Sequence, residues 1–185
     1  MSAASLFKQL YFTHFAKPIA DRTVFRTIRT TQAGHLVAIG LGDGQLARNM
    51  IQLAQHYTSR SRVRFTGIDL FELRTGNSSG LSLKRAHQML HSLSVHTRLI
   101  PGDPFEALAR HANSLLNSDL LVIQADQLGP AMDRAWFYVP RMLHERSVVL
   151  VKRPGQNGQP DRYESLDGQA VRRLAHSSGG QRKAA

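Results

Sequence analysis

The chain has 185 residues, 42% of them hydrophobic, with no cysteine and a formal charge of +11. This length and apolar content suit one globular domain with a sizeable core, and the lack of cysteine excludes a disulfide framework, a thiolate nucleophile and a cysteine-based metal site. The charge favours acidic partners such as nucleic acid, phosphorylated substrates or an anionic surface.

Leu6, Phe7, Leu10, Tyr11 and His14 recur at helical spacing, which predicts an amphipathic helix ended or kinked by Pro18. The stretch from Met1 to Phe15 lacks the uninterrupted apolar segment of a signal peptide. No run in the chain approaches the roughly 20 apolar residues of a membrane span, so a cytoplasmic protein is expected. A second helical stretch holds Val24, Phe25 and Ile28. Between Met1 and Gly42 the bases Lys8, Lys17, Arg22, Arg26 and Arg29 face a single acid, Asp21. This is either a solvated basic face or a cover over a ligand pocket.

The apolar run from His35 to Ile39 then meets Gly40, Gly42 and Gly44, and Leu46, Met50, Leu53, Ala54 and Tyr57 follow on one helix face. Strand, glycine turn and helix open a nucleotide-binding α/β unit. Glycines there let the backbone turn sharply and let a ligand approach it. The helix start presents free backbone N–H groups and a positive dipole end. Gln45 stands where the dinucleotide fingerprint needs its third glycine, and no Gly-Lys-Ser/Thr follows, so neither that fingerprint nor a Walker A loop is present.

Arg62 to Asp69 reads as a second strand, Gly76 to Gly80 as a loop, and Leu83 to Leu93 as a helix. Thr97 to Ile100 is a third strand. Asp103-Pro104-Phe105-Glu106 is a helix start, with acid at the N-cap, proline at N1 and glutamate at N3. Leu120 to Ile123 suits a strand covered on both faces. Ala131 to Val139 sketches a helix that Pro140 ends. Ser147 to Val151 and Arg162 to Leu166 are further strands, separated by a loop from Pro154 to Pro160. Asp167 caps a short helix through Leu174. The expected organisation is a helical segment over residues 1–34, an α/β domain over 35–175, and a basic, disordered tail over 176–185. Alternating strands and helices predict a three-layer sandwich with a mostly parallel sheet, its ligand beyond the carboxyl ends of the strands.

Four landmarks together resemble the class I S-adenosylmethionine-dependent methyltransferases, over about His35 to Val151. They are the Gly40-Leu41-Gly42-Asp43-Gly44 turn, Asp69-Leu70 after strand two, Gly102-Asp103 after strand three, and the run from Asp119 to Asp126. Within the family the resemblance is to bacterial members. It implies a Rossmann-like fold and S-adenosyl-L-methionine as cofactor. Gly40, Gly42, Asp43 and Gly44 would form the cofactor turn. Asp69, with Leu70 beside it, would hold the ribose hydroxyls, and Gly102 with Asp103 would face the adenine. Each acid also has a structural reading: Asp69 as the cap of a turn, Asp103 and Asp126 as helix caps.

The sequence departs from the family pattern at several places. Ala38 stands where an acid two residues before the first glycine is usual. Gln124, and Lys152-Arg153-Pro154 after strand five, stand where metal-dependent members carry carboxylate and amide ligands. Hard divalent cations want carboxylate oxygens, so no metal is expected. No Asn/Asp-Pro-Pro-Tyr motif occurs, and a seventh strand hardly fits after Arg162. His87 and His91 lie four residues apart on a helix without an evident third ligand. The expected activity is metal-independent methyl transfer to a small-molecule acceptor rather than RNA, with Asp126 as general base for a hydroxyl and only weak, non-specific nucleic-acid binding. The alternatives are a non-catalytic nucleotide- or RNA-binding domain of the same fold and a NAD-dependent oxidoreductase, the latter disfavoured by Gln45.

Overall fold

A computed structural model describes residues 17–58, 63–74, 80–156 and 158–180. The helix expected over Leu6 to His14, most of the loop from Gly76 to Gly80, and the last five residues lie outside them.

The described chain runs α1 (Asp21–Thr31), β1 (His35–Ile39), α2 (Gln45–Tyr57), β2 (Arg64–Asp69), α3 (Leu83–His91), β3 (His96–Pro101), α4 (Pro104–His111) and β4 (Ser118–Ile123). It continues through α5 (Pro130–Ala135), α6 (Val139–Met142), β5 (Leu143–Arg153), β6 (Arg162–Leu166) and α7 (Gly168–Gly180). The six strands form one sheet in the order β3-β2-β1-β4-β5-β6. β1 to β5 are parallel, and β6 returns antiparallel to β5.

Strand alternation divides the core in two. Leu36 and Ala38 of β1, with Leu120 and Val122 of β4, point to one side, where α1, α2 and α3 pack. Val37, Ile39, Leu121 and Ile123 point to the other, covered by α4 to α7. All six residues of β4 are buried, as its unbroken apolar run predicts for a central parallel strand. Val24, Phe25 and Ile28 of α1 are fully buried against the first core. Within the described residues, α1 thus shares one core with β1, α2 and α3.

Three local expectations are corrected. The helix drawn from Ala131 to Val139 is broken: a 3-10 turn, Trp136–Tyr138, separates α5 from α6. Pro140 sits in the first turn of α6, where its missing N–H leaves no bond unmade. β5 has 11 residues rather than five, because the Ser147 hydroxyl bridges to the Ser118 carbonyl at 2.7 Å and carries pairing back to Leu143. The stretch from His176 to Gly180, expected to be disordered, continues α7. There Ser178 is 8% exposed and donates to the carbonyls of Leu174 and Asp133, so packing against α5 overrides a polar composition.

Candidate functional site at the carboxyl ends of the strands

β1 ends in a turn that few residues other than glycine adopt: φ is +85° at Gly40, +55° at Gly42 and +81° at Gly44. The turn is pinned on both sides. Gly40 N–H donates to the Ile68 carbonyl at 2.8 Å, and Gln124 N–H donates to the Ile39 carbonyl at 2.9 Å. Leu41 N–H donates to Asp69 Oδ2 at 2.6 Å. A Cβ on Gly40 would fall 2.7 Å from the Gln127 Cγ, whereas one on Gly42 would meet nothing within 4 Å. Gly42 therefore presents bare backbone to open space. Asp43 accepts from Gln45 N–H at 3.0 Å at the start of α2.

That open space is a cleft of about 500 Å³. Its floor is the β1 turn, from Leu41 to Asp43, and the 3-10 turn after β4 that carries Asp126. Its walls are Lys17 and Asp21 at the start of α1 and Lys152 at the end of β5. Of the sequence-predicted residues, the structure brings Gly42, Asp43 and Asp126 together here. Asp126 accepts from the Gln127 side chain at 3.2 Å.

Asp69, Leu70, Gly102 and Asp103 lie beside the cleft, toward the β3 edge, and do not line it; nor do Gly40, packed against Gln124 and Gln127, and Gly44, packed against Leu81 and Met89. Asp69 is fully buried, and its carboxylate is already engaged. Besides Leu41 N–H it accepts from Phe71 N–H at 3.3 Å and from the Arg74 Nη2, at 2.5 Å to Oδ1 and 2.6 Å to Oδ2. The guanidinium passes close to Gly80, where a Cβ would collide with it, and its Nη1 is buried without a partner among the described residues. Leu70 precedes the 3-10 turn Phe71–Leu73. Gly102, at φ +135°, donates its N–H to the Asp69 carbonyl at 3.0 Å. Asp103 caps α4 through Phe105 N–H at 2.8 Å and Glu106 N–H at 3.0 Å, both bonds to Oδ1. Asp119 lies at the opposite end of the sheet, where it accepts from Gly34 and His35 N–H and bonds the His144 ring. His87 and His91 stack on the exposed face of α3.

Sequence reasoning placed Lys17 only in a segment read as a solvated basic face or a cover over a pocket, and Lys152 only as a replaced metal ligand; it did not single out Arg74, Asp21 or Tyr163 as site residues. Only the singularity of Asp21 among the N-terminal bases was a signal. Gln124 donates its side-chain amide to the Tyr163 hydroxyl at 2.7 Å, and Lys152 pairs with Asp161 at 3.2 Å. Burial pushes the Tyr163 hydroxyl up, with the Asp21 charge adding to it. Burial also raises the Asp21 carboxyl from 3.8 to about 6; Lys152 opposes this, while Asp43 and Asp161 reinforce it.

The folded state thus holds a proton on Asp21 more tightly than the unfolded chain does. Ionising it costs stability, absent below about pH 4 and fully present above about pH 6. The Asp21→Asn variant is therefore expected to melt at a higher temperature than the parent above that window, with the gap closing as pH falls through it. Equal melting at neutral pH would contradict this account.

No protein-family pattern and no curated protein sequence matches the chain. Solved structures do. An O-methyltransferase from Streptomyces achromogenes involved in tomaymycin synthesis, solved with S-adenosylmethionine, superposes with a TM-score of 0.55 at 15% identity, covering 97% of this chain and 79% of that one. A Bacillus cereus O-methyltransferase in complex with S-adenosylhomocysteine gives 0.56 at 14% identity, covering 96% and 79%. A TDP-rhamnose 3′-O-methyltransferase of calicheamicin biosynthesis gives 0.59 at 13% identity, covering 96% and 86%. With its sheet order, its glycine turn after β1 and its helices on both faces, the chain has the Rossmann-like fold of the class I S-adenosylmethionine-dependent methyltransferases.

Proposed function

We propose that the chain is an S-adenosylmethionine-dependent methyltransferase that acts on a small-molecule acceptor without a metal ion. The observation that carries this reading is Gly42: a left-handed turn, tied to Asp69 and facing an open cleft at the strand ends. Gly40 to Gly44 would bear the cofactor. Asp69, next to Leu70, would take the ribose hydroxyls once the Arg74 guanidinium is displaced, and Gly102 with Asp103 would face the adenine. The bound cofactor supplies an electrophilic methyl group, so the protein has chiefly to align the acceptor with it. Asp126, at the floor of the cleft, takes the proton from a hydroxyl acceptor. Calorimetric titration with S-adenosylmethionine, S-adenosylhomocysteine and NAD tests this; binding of NAD alone would exclude it.

Asp21, Asp43 and Asp126 line the cleft, but the positions where metal-dependent members carry ligands hold Gln124 and Lys152. Gln124 is bonded to Tyr163, Lys152 carries its own charge, and no group of three or more His, Asp or Glu among the described residues is arranged to hold a metal. Once an acceptor is found, turnover is expected to survive excess EDTA; loss with chelator and recovery with Mg²⁺ would refute metal independence.

The charge of +11 is partly carried by exposed positions such as Arg26 and Arg29 on α1 and Arg172 and Arg173 on α7. Few aromatics interleave with these charges to stack bases. RNA binding is therefore expected to be weak, to lack sequence preference, and to fall steeply with salt. Fluorescence anisotropy across a salt series measures this. Selective submicromolar binding near physiological salt would make RNA the leading acceptor.

One observation favours a second reading. The Asp69 carboxylate is closed by Arg74, as suits a non-catalytic module of the same fold that binds a nucleotide or RNA elsewhere. Failure of both S-adenosyl ligands in the same titration would point there.

A further inference from the structure

Three carboxylates of the described chain are buried: Asp21, Asp69 and Asp119. Asp69 is held by two backbone N–H groups and Arg74, and Asp119 by two backbone N–H groups and His144. Asp21 is 8% exposed, and among the described residues none donates a hydrogen bond to its carboxylate. It does not face the apolar core. It stands in the first turn of α1 on the wall of the cleft, across from Gly42 and Asp43. Its oxygens open onto the cleft rather than into the interior, where a cation or a donor can reach them.

We propose that Asp21 binds the α-ammonium group of the amino-acid end of the cofactor, with Lys17 and Lys152 on the same walls available to the adjoining carboxylate. This rests on the cofactor reading above. An α-amino acid group is a zwitterion, and the cleft sets the Asp21 carboxylate, which accepts no hydrogen bond from the described residues, beside the ammonium groups of Lys17 and of Lys152, the latter shared with Asp161. The β1 strand brings no charge of its own to this face: Ala38 lies in the core shared with α1. The acid is delivered instead by the helix packed over that strand. Both the sequence separation and the change of element hide it from a motif search.

The charged and titratable groups facing Asp21 are Lys17 before α1, Asp43 in the β1 turn, Asp126 after β4, Lys152 on β5, Asp161 before β6 and Tyr163 on β6. Burial, opposed by Lys152 and reinforced by Asp43 and Asp161, raises the Asp21 carboxyl to about 6, so its ionised fraction falls as pH drops through that value. An ammonium partner needs the ionised form.

The experiment is calorimetric titration of the full chain and of Asp21→Asn with two probes: S-adenosylhomocysteine, and 5′-methylthioadenosine, which lacks the amino-acid end. The expected result is at least a roughly tenfold weakening of S-adenosylhomocysteine binding in the variant, the scale of one charge-assisted hydrogen bond, with 5′-methylthioadenosine unchanged. In the parent protein, affinity for S-adenosylhomocysteine alone should fall as pH drops through about 6, a measurement that needs no variant to fold. Equal weakening of both probes, or no weakening of either, overturns the role of Asp21 while leaving the cofactor reading intact. Failure of the parent protein to bind either probe overturns the cofactor reading and this inference with it.

Discussion

Asp69→Ala is expected to destabilise the fold by about 3–5 kcal/mol, because it strands a buried guanidinium without its counter-charge. Arg74 has a side-chain exposure of only 13%, and its Nη2 contacts both oxygens of a carboxylate that is fully buried. The loss also orphans Leu41 N–H, which anchors the glycine turn. Arg74→Ala should cost less, about 1–3 kcal/mol, since Asp69 keeps its two backbone donors. That variant should also bind S-adenosylhomocysteine more tightly than the parent, the diol no longer competing with an internal cation. The double variant should recover part of the Asp69→Ala loss, as contacting residues do not act additively. Urea denaturation of all four proteins measures the stabilities, and calorimetry the affinities. A double variant whose loss equals the sum of the single losses would show that the pair is not coupled.

Gly40→Ala and Gly42→Val are expected to fail in opposite ways. At Gly40 a left-handed backbone carries a cost of about 1–2 kcal/mol for a side chain. The new Cβ would also press on Gln127 and Gln124 at 2.7 and 2.8 Å, so a total of about 2–4 kcal/mol is expected once crowding is included. The Gln124 amide that reaches Tyr163 shifts with it. At Gly42 no atom of the described residues, its chain neighbours aside, lies within 4 Å of the added Cβ. Only the backbone strain remains, and the circular dichroism should stay near that of the parent. The valine projects into the cleft, so S-adenosylhomocysteine binding should be lost. A Gly42→Val protein that binds normally would move the cofactor elsewhere.

The two glycines look alike in the sequence. Both belong to one Gly-x-Gly-x-Gly run, and both have positive φ. What separates them is the residues that other elements bring close: Gln124 and Gln127 from beyond β4 crowd Gly40, while Gly42 faces the cleft. The same distinction applies to the acids. Asp103 was legible as a helix cap because its partners are two and three residues away. Asp69 was legible as the end of a strand, but not its closure by Arg74, which depends on how the chain turns back after β2. Asp21 was visible as a lone acid among bases, yet its place on the cleft wall required α1 to pack over β1.

By itself, the sequence determined the alternation of strands and helices, the glycine turn after β1, the cap of α4 and the doubly covered β4. These depend on backbone preference and on a hydrophobic period of two or 3.6 residues, both local. Only the tertiary structure decided the break between α5 and α6, the length of β5 and the continuation of α7 through Ser177 and Ser178. It alone decided which carboxylates are satisfied and which is left open to the cleft. Those outcomes turn on contacts between residues far apart in the chain, where burial and the supply of hydrogen-bond partners outweigh local propensity.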